Sequence, residues 1–504
     1  MLNYPTVKDN MARYIDAGFP ILYIYTFEEA KADKYIETVA DKKKILEWNG
    51  ANGFVDFKTK SPYLPNQTLE SALMLLKNGQ ELHRKILVIK DAAELLKTNE
   101  SISEPNKVVA LLKEIARKIC NGLDAAVIIV SSTLHIPKDL EKIITVLELD
   151  LPDEKEISDA INKSMVDNGI SAVHKDLLEE MSLAFKGLSE FEIEDLLRLA
   201  LTEDGELTRK ALKLIFDQKQ QMILKSGILE MVPLKESIAD IGGLENLKDW
   251  LQRKAKVFKN IKNAMEFGVS MPKGVLIAGI PGCGKSLSAK AAGKLFDVPL
   301  LRLDMGKLLG KYVGESEENM RKAIRLADAI SPCILWVDEL EKSFAGISGG
   351  GSEVTTRLFG TFLTWMQEKT SAAFVVATAN KIEHLPPELT RKGRFDEIFY
   401  VPLPNDDERK KIFEIHINKS NKRKQDISQI DIDALVEKTK GYTGADIEGV
   451  VSESVESVFV KGNPTLTTED VLECIRNTHP LSEIMDIEKT SKYYEDKKFK
   501  KASR

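Results

Sequence analysis

The residues best suited to chemistry in this sequence form a loop that could hold the phosphates of a nucleotide. Their pattern is G-x-x-x-x-G-K-[ST], and the residues are Gly279, Ile280, Pro281, Gly282, Cys283, Gly284, Lys285 and Ser286. The glycines let the backbone curl, so that several N–H groups face one anion at a helix N-terminus. We expect Lys285 to reach the outer phosphates and the Ser286 hydroxyl to ligate Mg²⁺. The alternative is a glycine-rich turn with a surface lysine.

Two carboxylates further along the chain suit the rest of a nucleotide site. Asp338 and Glu339 follow the continuous apolar run Cys333–Val337, which predicts a strand buried on both faces. At that position Asp338 suits Mg²⁺ held through water, and Glu339 suits a general base that polarises the attacking water. Asn380 follows a predicted strand at 374–378 and could orient the same water, although Asn is also common in turns.

Two other loops carry residues for which the sequence leaves alternatives open. Arg391 and Arg394 share a short loop, and a guanidinium can stabilise charge on a transferring γ-phosphoryl group, including one across a subunit boundary. They could equally form surface salt bridges. Tyr312, Val313 and Gly314 lie in a polar loop, where the aromatic side chain could grip a partner or pack within the loop.

The elements that must position these residues alternate between strands and helices. Val275–Ala278 predicts a strand directly before the phosphate loop, and a helix is expected after it. In the first half, strands are predicted at 21–26, 85–90 and 125–131, and helices at 69–80 and 107–120. This alternation predicts the α/β class, with parallel sheets covered on both faces.

Segments of the first half recur in the second half, which indicates an internal duplication. Residues 125–133 align with residues 372–380, and Asp91 aligns with Asp338, in both cases 247 positions apart. Generic similarity between βα units is the alternative, but the common order and spacing favour duplication.

The first copy lacks the chemistry of the second. Thr26–Glu29 replaces the phosphate loop and brings carboxylates to a place where phosphates would have to bind. Ala92 stands in place of Glu339, and Thr133 in place of Asn380. We therefore do not expect the first half to hydrolyse nucleotide.

Composition and charge restrict the class of protein. The chain has 504 residues, too many for one hydrophobic core, and its 43% hydrophobic and 30% charged residues are ordinary for a globular protein. A net charge of −6 disfavours a dedicated nucleic-acid binder. The sequence shows no signal peptide and no apolar run near the roughly 20 residues that cross a bilayer. Its four cysteines form no C-x-x-C pair, so we expect a reducing, cytoplasmic location.

The sequence predicts five regions along the chain. They are an α/β domain at 1–153, its helical lid-like subdomain at 154–230, an α/β core with an N-terminal linker at 231–404, a helical lid at 405–490 and a charged tail at 491–504. Within the linker, Ile241–Leu244 could lie across a nucleotide base or form a turn. We predict that the tail is solvated and partly disordered, because it is a charge run.

From about residue 240 to residue 480 the sequence resembles the AAA ATPases, because every nucleotide-site element occurs in that family's order. Lys285 and Ser286 match the Walker A pair. Asp338 and Glu339 match Walker B, and Asn380 matches sensor 1. The resemblance implies a P-loop NTPase core of three αβα layers with a helical lid, which binds ATP and Mg²⁺ and commonly forms rings of six subunits.

The resemblance also implies roles for residues outside those motifs. Arg391 and Arg394 match the arginine fingers that serve a neighbouring subunit, and Tyr312 matches the aromatic residue of the first pore loop. Further residues implied to contact the nucleotide are Ile241, Gly242, Leu287, His416, Gly444 and Ala445.

Nearly the whole chain resembles a narrower family, that of a conserved hypothetical chloroplast reading frame and its bacterial relatives. Residues 362–368 and 385–399 carry this likeness, which implies a degenerate AAA-like domain in the N-terminal half. The sequence has no H-E-x-x-H segment after the ATPase region, which argues against a fused zinc protease.

These features predict an ATP-hydrolysing ring whose second half is the motor and whose first half is an inactive copy that recruits partners or stiffens the assembly. Its substrate would be a protein gripped by Tyr312 in the central pore. The main alternative is a nucleotide-dependent switch or scaffold that translocates nothing. A nucleic-acid remodeller is a third option, which the acidic balance disfavours.

Overall fold

Two α/β units make up the chain, and each contains a sheet whose central strands are parallel. The computed structural model describes residues 6–64, 67–78, 80–96, 106–149, 151–170, 174–308, 315–343, 353–391, 393–420, 430–462, 465–483 and 487–504. Contacts between Cα atoms divide the chain into Met1–Leu214 and Ile215–Arg504. This division falls within the helix Lys210–Ser226, whereas the sequence predicts a boundary at 230.

The first unit alternates strands and helices, as the sequence predicts. Its described strands are β1 (Ile21–Tyr25), β2 (Lys44–Asn49), β3 (Gly53–Val55), β4 (Pro62–Leu64), β5 (Lys85–Lys90), β6 (Ala125–Ser131) and β7 (Ile144–Glu148). Its described helices are α1 (Val7–Asp16), α2 (Glu29–Val39), α3 (Leu69–Leu76), α4 (Lys107–Cys120), α5 (Glu154–Asp167), α6 (Lys175–Phe185) and α7 (Glu190–Asp204). Tyr23 and Ile24 of β1 enter different hydrophobic cores, so both faces of the sheet are covered.

The second unit begins within α8 (Lys210–Ser226) and repeats this alternation. Its described strands are β8 (Leu229–Val232), β9 (Gly274–Gly279), β10 (Leu300–Leu303), β11 (Cys333–Val337), β12 (Ala373–Ala379), β13 (Glu397–Val401) and β14 (Lys500–Lys501). Its described helices are α9 (Glu245–Lys259), α10 (Ile261–Glu266), α11 (Lys285–Phe296), α12 (Met305–Leu308), α13 (Glu315–Ile330), α14 (Leu340–Ser343), α15 (Glu353–Glu368), α16 (Asp406–Ser420), α17 (Ile432–Lys438), α18 (Gly444–Val460), α19 (Thr468–Asn477) and α20 (Ile487–Asp496).

The parallel strands of the two sheets follow the same order. It is β7-β1-β6-β5-β2 in the first unit and β13-β9-β12-β11-β10 in the second. The register matches as well, because Lys85 pairs with Ala125 and Cys333 pairs with Ala373, each pair 40 residues apart. This agreement supports the predicted duplication. The sheets differ at their edges, where the first adds antiparallel β3 and β4, and the second adds antiparallel β8 at one edge and parallel β14 at the other.

The sheet order explains how distant residues of the second unit can meet. β12 lies between β9 and β11, and all three strands are parallel. Their carboxyl ends therefore lie at one edge of the sheet. Gly279 ends β9, Asp338 follows β11, and Asn380 follows β12. Topology alone therefore brings the phosphate loop, Asp338 and Asn380 to that edge.

Helices α16 to α19 form a helical subdomain with its own core after the second sheet. Phe413, Leu435, Ile447 and Val471 are among its buried side chains, one from each helix. Because α16 begins shortly after β13 ends, this subdomain adjoins the edge of the sheet that carries the phosphate loop.

The C-terminal residues pack against the second sheet, which contradicts the prediction of a solvated tail. Tyr494 of α20 is only 1% exposed, and its ring stacks on Tyr400 with the centroids 4.1 Å apart. The next residues form β14, which pairs in parallel with β13. The many charged residues of this segment made it resemble a solvated tail in the sequence. In the structure the lysines of the edge strand extend into solvent, whereas Tyr494 and Ala502 are buried.

The parts of the chain that the structure describes contain no helix both long enough and apolar enough to cross a membrane. All four cysteines lie in those parts, and each is a free thiol. Cys120 is exposed, whereas Cys283, Cys333 and Cys474 are buried.

Candidate active site

The phosphate loop connects β9 to the N-terminus of α11. Gly282 and Gly284 adopt φ angles of 78° and 88°, which glycine takes without strain. A Cβ atom on Gly282 would also lie 2.7 Å from the Thr443 hydroxyl, so a larger residue would push the loop away from α18. The loop leads directly into a helix of 12 residues, whose first N–H groups have no partner within the helix and favour an anion.

Lys285 is held inside this loop. Its side chain is 6% exposed, and Nζ donates hydrogen bonds to the Gly279 and Ile280 carbonyls at 2.9 and 2.7 Å. Burial lowers its pKa to about 8, although the nearby Cys283 and Glu341 favour the charged form. A bound anion would favour the charged form further, so this lysine is suited to phosphate binding.

Hydrogen bonds link Ser286 in α11, Asp338 directly after β11 and Thr378 in β12. Ser286 Oγ donates to Asp338 Oδ1 at 3.1 Å, and Thr378 Oγ1 donates to the same oxygen at 2.6 Å. The Glu339 backbone N–H in turn donates to Thr378 Oγ1 at 3.0 Å. Thr378 therefore orients the Asp338 carboxylate towards Ser286. It also fixes the position of the Glu339 backbone.

Glu339 and Asn380 contact each other through their side chains. Asn380 Nδ2 donates to Glu339 Oε1 at 3.1 Å, while Lys342 Nζ pairs with Glu339 Oε2 at 2.8 Å. Glu339 has a φ of 49°, a left-handed value that is unusual for a residue other than glycine. Such strain is found where the surrounding structure fixes a side chain for a purpose.

The structure does not bring Arg391 and Arg394 to this edge of the sheet. The Asp396 N–H donates to Gly274 O at 2.8 Å, and Lys273 Nζ donates to Gly393 O at 2.7 Å. The arginine loop thus lies at the amino end of β9, about 17 Å of strand from its carboxyl end. Arg391 is exposed, and Arg394 donates to a backbone carbonyl within the loop.

The linker before α9 lies against the first helix of the lid. Ile241 is buried, and a Cβ atom on Gly242 would lie 2.4 Å from Ile412 Cγ1 of α16. The Leu244 N–H donates to the buried Glu408 carboxylate at 2.9 Å. Together these contacts border a small cavity that is lined by Gly242, Leu244, Cys283, Pro402, Pro404, Glu408, Ile412 and Gly444.

The N-terminus of lid helix α18 contacts the phosphate loop directly. The Ala445 N–H donates to Gly282 O at 3.0 Å, and a Cβ atom on Gly444 would lie 3.2 Å from the same oxygen. Cys283 lies in this contact, where burial raises the pKa of its thiol to about 12. Gly444 and Ala445 are therefore in direct contact with the backbone of the phosphate loop.

Two further residues implied by the resemblance lie beside these elements. Leu287, in the first turn of α11, is partly buried against the same core as Ile241. His416 of α16 lies beside α18, with Nδ1 3.9 Å from Glu448 Oε1, and burial lowers the pKa of its imidazole. Tyr312, Val313 and Gly314 lie outside the described residues.

Sequence reasoning missed Thr378 and Glu408. Both are buried polar residues whose side chains bond to residues far away in the sequence. A hydroxyl residue two positions before Asn380, near the end of a predicted central strand, was a usable signal for Thr378. Glu408 offers no such signal, because its partner Leu244 is 164 positions away.

In the first unit, a side chain occupies the place that corresponds to the phosphate loop. The connection from β1 to α2 has only three residues, 26–28, against five from β9 to α11. Glu28 is 3% exposed, and its carboxylate accepts a hydrogen bond from the Glu190 N–H in the first turn of α7. Burial raises the pKa of Glu28. In the first unit, the connection that corresponds to the phosphate loop thus carries a buried carboxylate, which is bonded to the N-terminus of α7.

Together, the strand order, the phosphate loop with its lysine, and the lid define an ATPase of the AAA class. The family model described as ATPase family associated with various cellular activities (AAA) matches residues 275–403, and the AAA+ lid domain matches residues 429–473. The first half matches the SpoVK-like AAA ATPase N-terminal domain at 7–149 and second domain at 154–226.

Whole-chain relatives narrow this class to one family. The AAA domain-containing protein ycf46 of Pyropia yezoensis is 36% identical over 93% of this chain and 93% of its own length. The ycf46 protein of Guillardia theta is 36% identical over 93% of this chain and 90% of its own. The chain belongs to this family of ycf46 AAA domain-containing proteins. A cell division cycle protein 48 homolog of Archaeoglobus fulgidus is 32% identical over 51% of this chain and 37% of that protein.

Proposed function

We propose that the second unit hydrolyses ATP with Mg²⁺ in a ring of subunits and uses the reaction to remodel or translocate a protein. The observation that carries this proposal is the arrangement of two side-chain pairs at one edge of the sheet. Ser286 Oγ lies 3.1 Å from Asp338 Oδ1, and Asn380 Nδ2 lies 3.1 Å from Glu339 Oε1. A pair suited to a metal ion thus stands next to a pair suited to orienting water.

The donor atoms at this edge fit Mg²⁺. Ser286 and Asp338 present a hydroxyl and a carboxylate oxygen, the hard donors that this ion prefers, and they would hold it. When bound, the ion would neutralise charge on the phosphate oxygens. The hydrogen bond from Thr378 keeps the Asp338 carboxylate turned towards Ser286.

Hydrolysis would proceed by in-line attack of water on the γ-phosphorus of ATP. Glu339 would accept a hydrogen bond from this water and then its proton, as the bond to the β-phosphate oxygen breaks. Asn380 holds Glu339 Oε1 in place for that role. Lys285 would neutralise charge that develops on the phosphate oxygens, and the backbone amides of the loop would bind them.

Arg391 and Arg394 would complete the site of a neighbouring subunit. Their loop lies at the amino end of β9, whereas the phosphate loop follows its carboxyl end. Residues at opposite edges of one sheet can serve the same reaction when a second copy is placed head to tail. Such heterologous contacts close into rings, and AAA ATPases are commonly hexameric.

The energy of ATP hydrolysis would be used by residues of the central pore, with support from the first unit. Tyr312, with Val313 and Gly314, would grip a protein substrate, and the first unit would recruit partners or stiffen the ring. We also propose the regions bounded at 153, 230 and 404 as the organisation that carries these roles, with the residues after 490 packed on the second sheet. The four free cysteines are consistent with a cytoplasmic, reducing location.

A trap variant tests the site, and a pore variant tests the use of energy. We expect Glu339→Gln to bind ATP normally but to hydrolyse it about 10²–10⁴-fold more slowly, because the general base is lost. Glu368→Gln, on an exposed position of α15, is the matched control. Proteins that co-purify with the trap in ATP, and not with wild type in ADP, identify the substrate. ATP hydrolysis at the wild-type rate by Glu339→Gln would refute the assignment.

The alternative of a switch or scaffold without translocation makes a different prediction for Tyr312→Ala. Remodelling of the trapped protein should be lost in this variant while basal ATP hydrolysis is kept. If the partner-dependent activity survives unchanged, translocation through the pore is refuted and the switch is favoured.

A further inference from the structure

Glu341 is a buried carboxylate next to the candidate active site that the reaction itself does not use. It lies in α14, two residues after Glu339, and is 6% exposed. Its Oε1 accepts a hydrogen bond from the Asn380 backbone N–H at 3.1 Å. Its Oε2 is buried and has no hydrogen-bond partner among the described residues. Burying a carboxylate oxygen without a hydrogen-bond partner costs folding free energy. The presence of a carboxylate at position 341 therefore indicates a role beyond packing.

The bond from Asn380 to Glu341 fixes the backbone from which the Asn380 side chain extends. Asn380 directly follows β12, where ladder pairing no longer determines the backbone position. The Asn380 backbone N–H donates to Glu341 at 3.1 Å, and the Asn380 side-chain amide donates to Glu339 at 3.1 Å. Two carboxylates from one turn of chain thus hold Asn380 at two points, which sets the direction of its amide.

The C-terminal helix packs on the hydrophobic core beside this arrangement. Tyr494 of α20 lies in the same core as Leu340 and Ile382, which are close to Glu341 and Asn380 in the sequence. Burial raises the pKa of the Tyr494 hydroxyl. α20 thus contributes to the apolar core that borders the turn carrying Glu341.

We propose that Glu341 is a positioning residue for ATP hydrolysis, which acts by holding the Asn380 backbone so that the Asn380 side chain fixes Glu339. This inference rests on the proposed function, because it assigns the water-orienting pair to Glu339 and Asn380. It adds a requirement that the reaction scheme lacks, namely a hydrogen-bond acceptor at position 341.

Matched substitutions at this position separate the hydrogen bond from packing. Glu341→Gln keeps an oxygen that can accept the Asn380 N–H, whereas Glu341→Met has a similar length and no such acceptor. We expect kcat of the Gln variant within about threefold of wild type, and that of the Met variant reduced by roughly ten- to a hundredfold. Any change in the Kd for ATP, measured with a non-hydrolysable analogue, should be the same in both, because both variants remove the Glu341 charge that favours the charged form of Lys285.

A double-mutant cycle tests whether Glu341 acts through Asn380. Because its effect is transmitted by the Asn380 side chain, Glu341→Met should lower kcat no further in an Asn380→Ala background. Equal losses in both backgrounds would overturn the proposal, as would a wild-type kcat for Glu341→Met or a Gln variant as slow as the Met variant.

Two further measurements keep the outcome decisive. If Glu341→Met does not fold, Glu341→Asp replaces it, because its carboxylate is one methylene too short to reach the Asn380 N–H, and it should show the same loss of kcat. Glu339→Gln is measured in parallel. Wild-type hydrolysis by Glu339→Gln would refute the proposed function, whereas a slow Glu339→Gln with unaffected Glu341 variants would refute only the positioning role.

Discussion

Ser286 Oγ donates a hydrogen bond to Asp338 Oδ1 at 3.1 Å, although 52 positions separate these residues in the sequence. Ser286 lies in α11, which the phosphate loop connects to β9, and Asp338 follows β11. These two strands are not neighbours, because β12 lies between them. The intervening strand contributes Thr378, whose hydroxyl donates to the same Asp338 oxygen at 2.6 Å. The hydroxyl and carboxylate suited to Mg²⁺ are therefore joined through the strand that separates them.

We predict that Thr378→Val weakens the binding of the Mg²⁺ that supports hydrolysis. Valine has nearly the shape of threonine but removes the donor to Asp338 and the acceptor for the Glu339 N–H. The Mg²⁺ concentration for half-maximal ATP hydrolysis should rise roughly three- to tenfold, in line with about 1 kcal/mol for one lost hydrogen bond. Thr378→Ser keeps the hydroxyl and is the control. An unchanged Mg²⁺ titration for the valine variant would contradict the role of Thr378.

Lys285 should make stability depend on pH in a defined window. Its pKa is about 8 in the folded protein against the ordinary value of 10.5, so between these values the unfolded chain binds more protons. The free energy of unfolding gains a contribution from Lys285 that rises with pH across this window, and the burial cost is fully present below it.

A methionine substitution isolates this contribution. Lys285→Met removes the titrating group, so the wild type should become more stable relative to the variant as pH increases from 8 to 10. Urea unfolding at several pH values measures the difference. Lys369→Met is a positive control, because burial also lowers the pKa of Lys369 to about 8. A pH-independent difference for Lys285→Met would show that its ammonium is not buried as the structure places it. The same variant should also lose ATP binding.

The sequence predicts the alternating elements and the chemical groups of the site, because these depend on local patterns. β5, β6, β11 and α4 begin and end where the apolar runs predict. The glycine-rich loop and the two carboxylates after β11 are recognisable from spacing alone. The carboxyl-end placement of Asn380 also follows, since a residue after a central parallel strand lies at that edge.

Long-range polar contacts could not be predicted in the same way. Glu341 and Glu408 bond to backbone amides of residues 380 and 244, and no local pattern marks a carboxylate for such a partner. The packing of Tyr494 could not be predicted for a related reason. Its burial depends on contact with Tyr400, which lies in β13 and is distant in the sequence.

The first unit should have a lid that is fixed without nucleotide. Glu28 accepts the Glu190 N–H, and Lys34 Nζ pairs with Glu190 at 2.7 Å, so α2 and its preceding loop hold α7. Glu28→Ala should destabilise this unit by roughly 1–3 kcal/mol, because a partly buried N–H in the first turn of α7 loses its partner. Glu28→Gln keeps an acceptor and should be much milder.

Hydrogen exchange at the start of α7 measures this effect directly. The Glu190 amide should exchange faster in Glu28→Ala than in wild type, and ATP should leave its protection unchanged in wild type. Slower exchange at this amide when ATP is added would mean that the first unit binds nucleotide after all.

The packed C-terminus makes Tyr494 a stability determinant. Truncating this fully buried side chain to alanine removes the stack on Tyr400 and leaves a cavity, which typically costs about 3–5 kcal/mol. Tyr494→Phe keeps the ring and should remain within about 1 kcal/mol of wild type. Thermal unfolding of both variants checks this. A wild-type transition for Tyr494→Ala would restore the prediction of a solvated tail.

The arginine loop should act between subunits, and mixing two inactive variants can demonstrate this. Arg391→Ala leaves the phosphate loop of its own subunit intact, because the arginine lies at the opposite end of β9. Lys285→Ala has the reverse defect. Each variant alone should hydrolyse ATP at least about tenfold more slowly than wild type.

Mixed rings should then regain activity wherever an intact phosphate loop faces an intact arginine. Subunits are unfolded or dissociated together, reassembled with ATP at a 1:1 ratio, and assayed against separately treated variants. Mixing Lys285→Ala with Glu339→Gln is the control, since both lesions lie in the same subunit's half of the site and that mixture should stay inactive. If Arg391→Ala mixed with Lys285→Ala is no faster than its components, the arginines do not act across the boundary, and head-to-tail completion of the site is refuted.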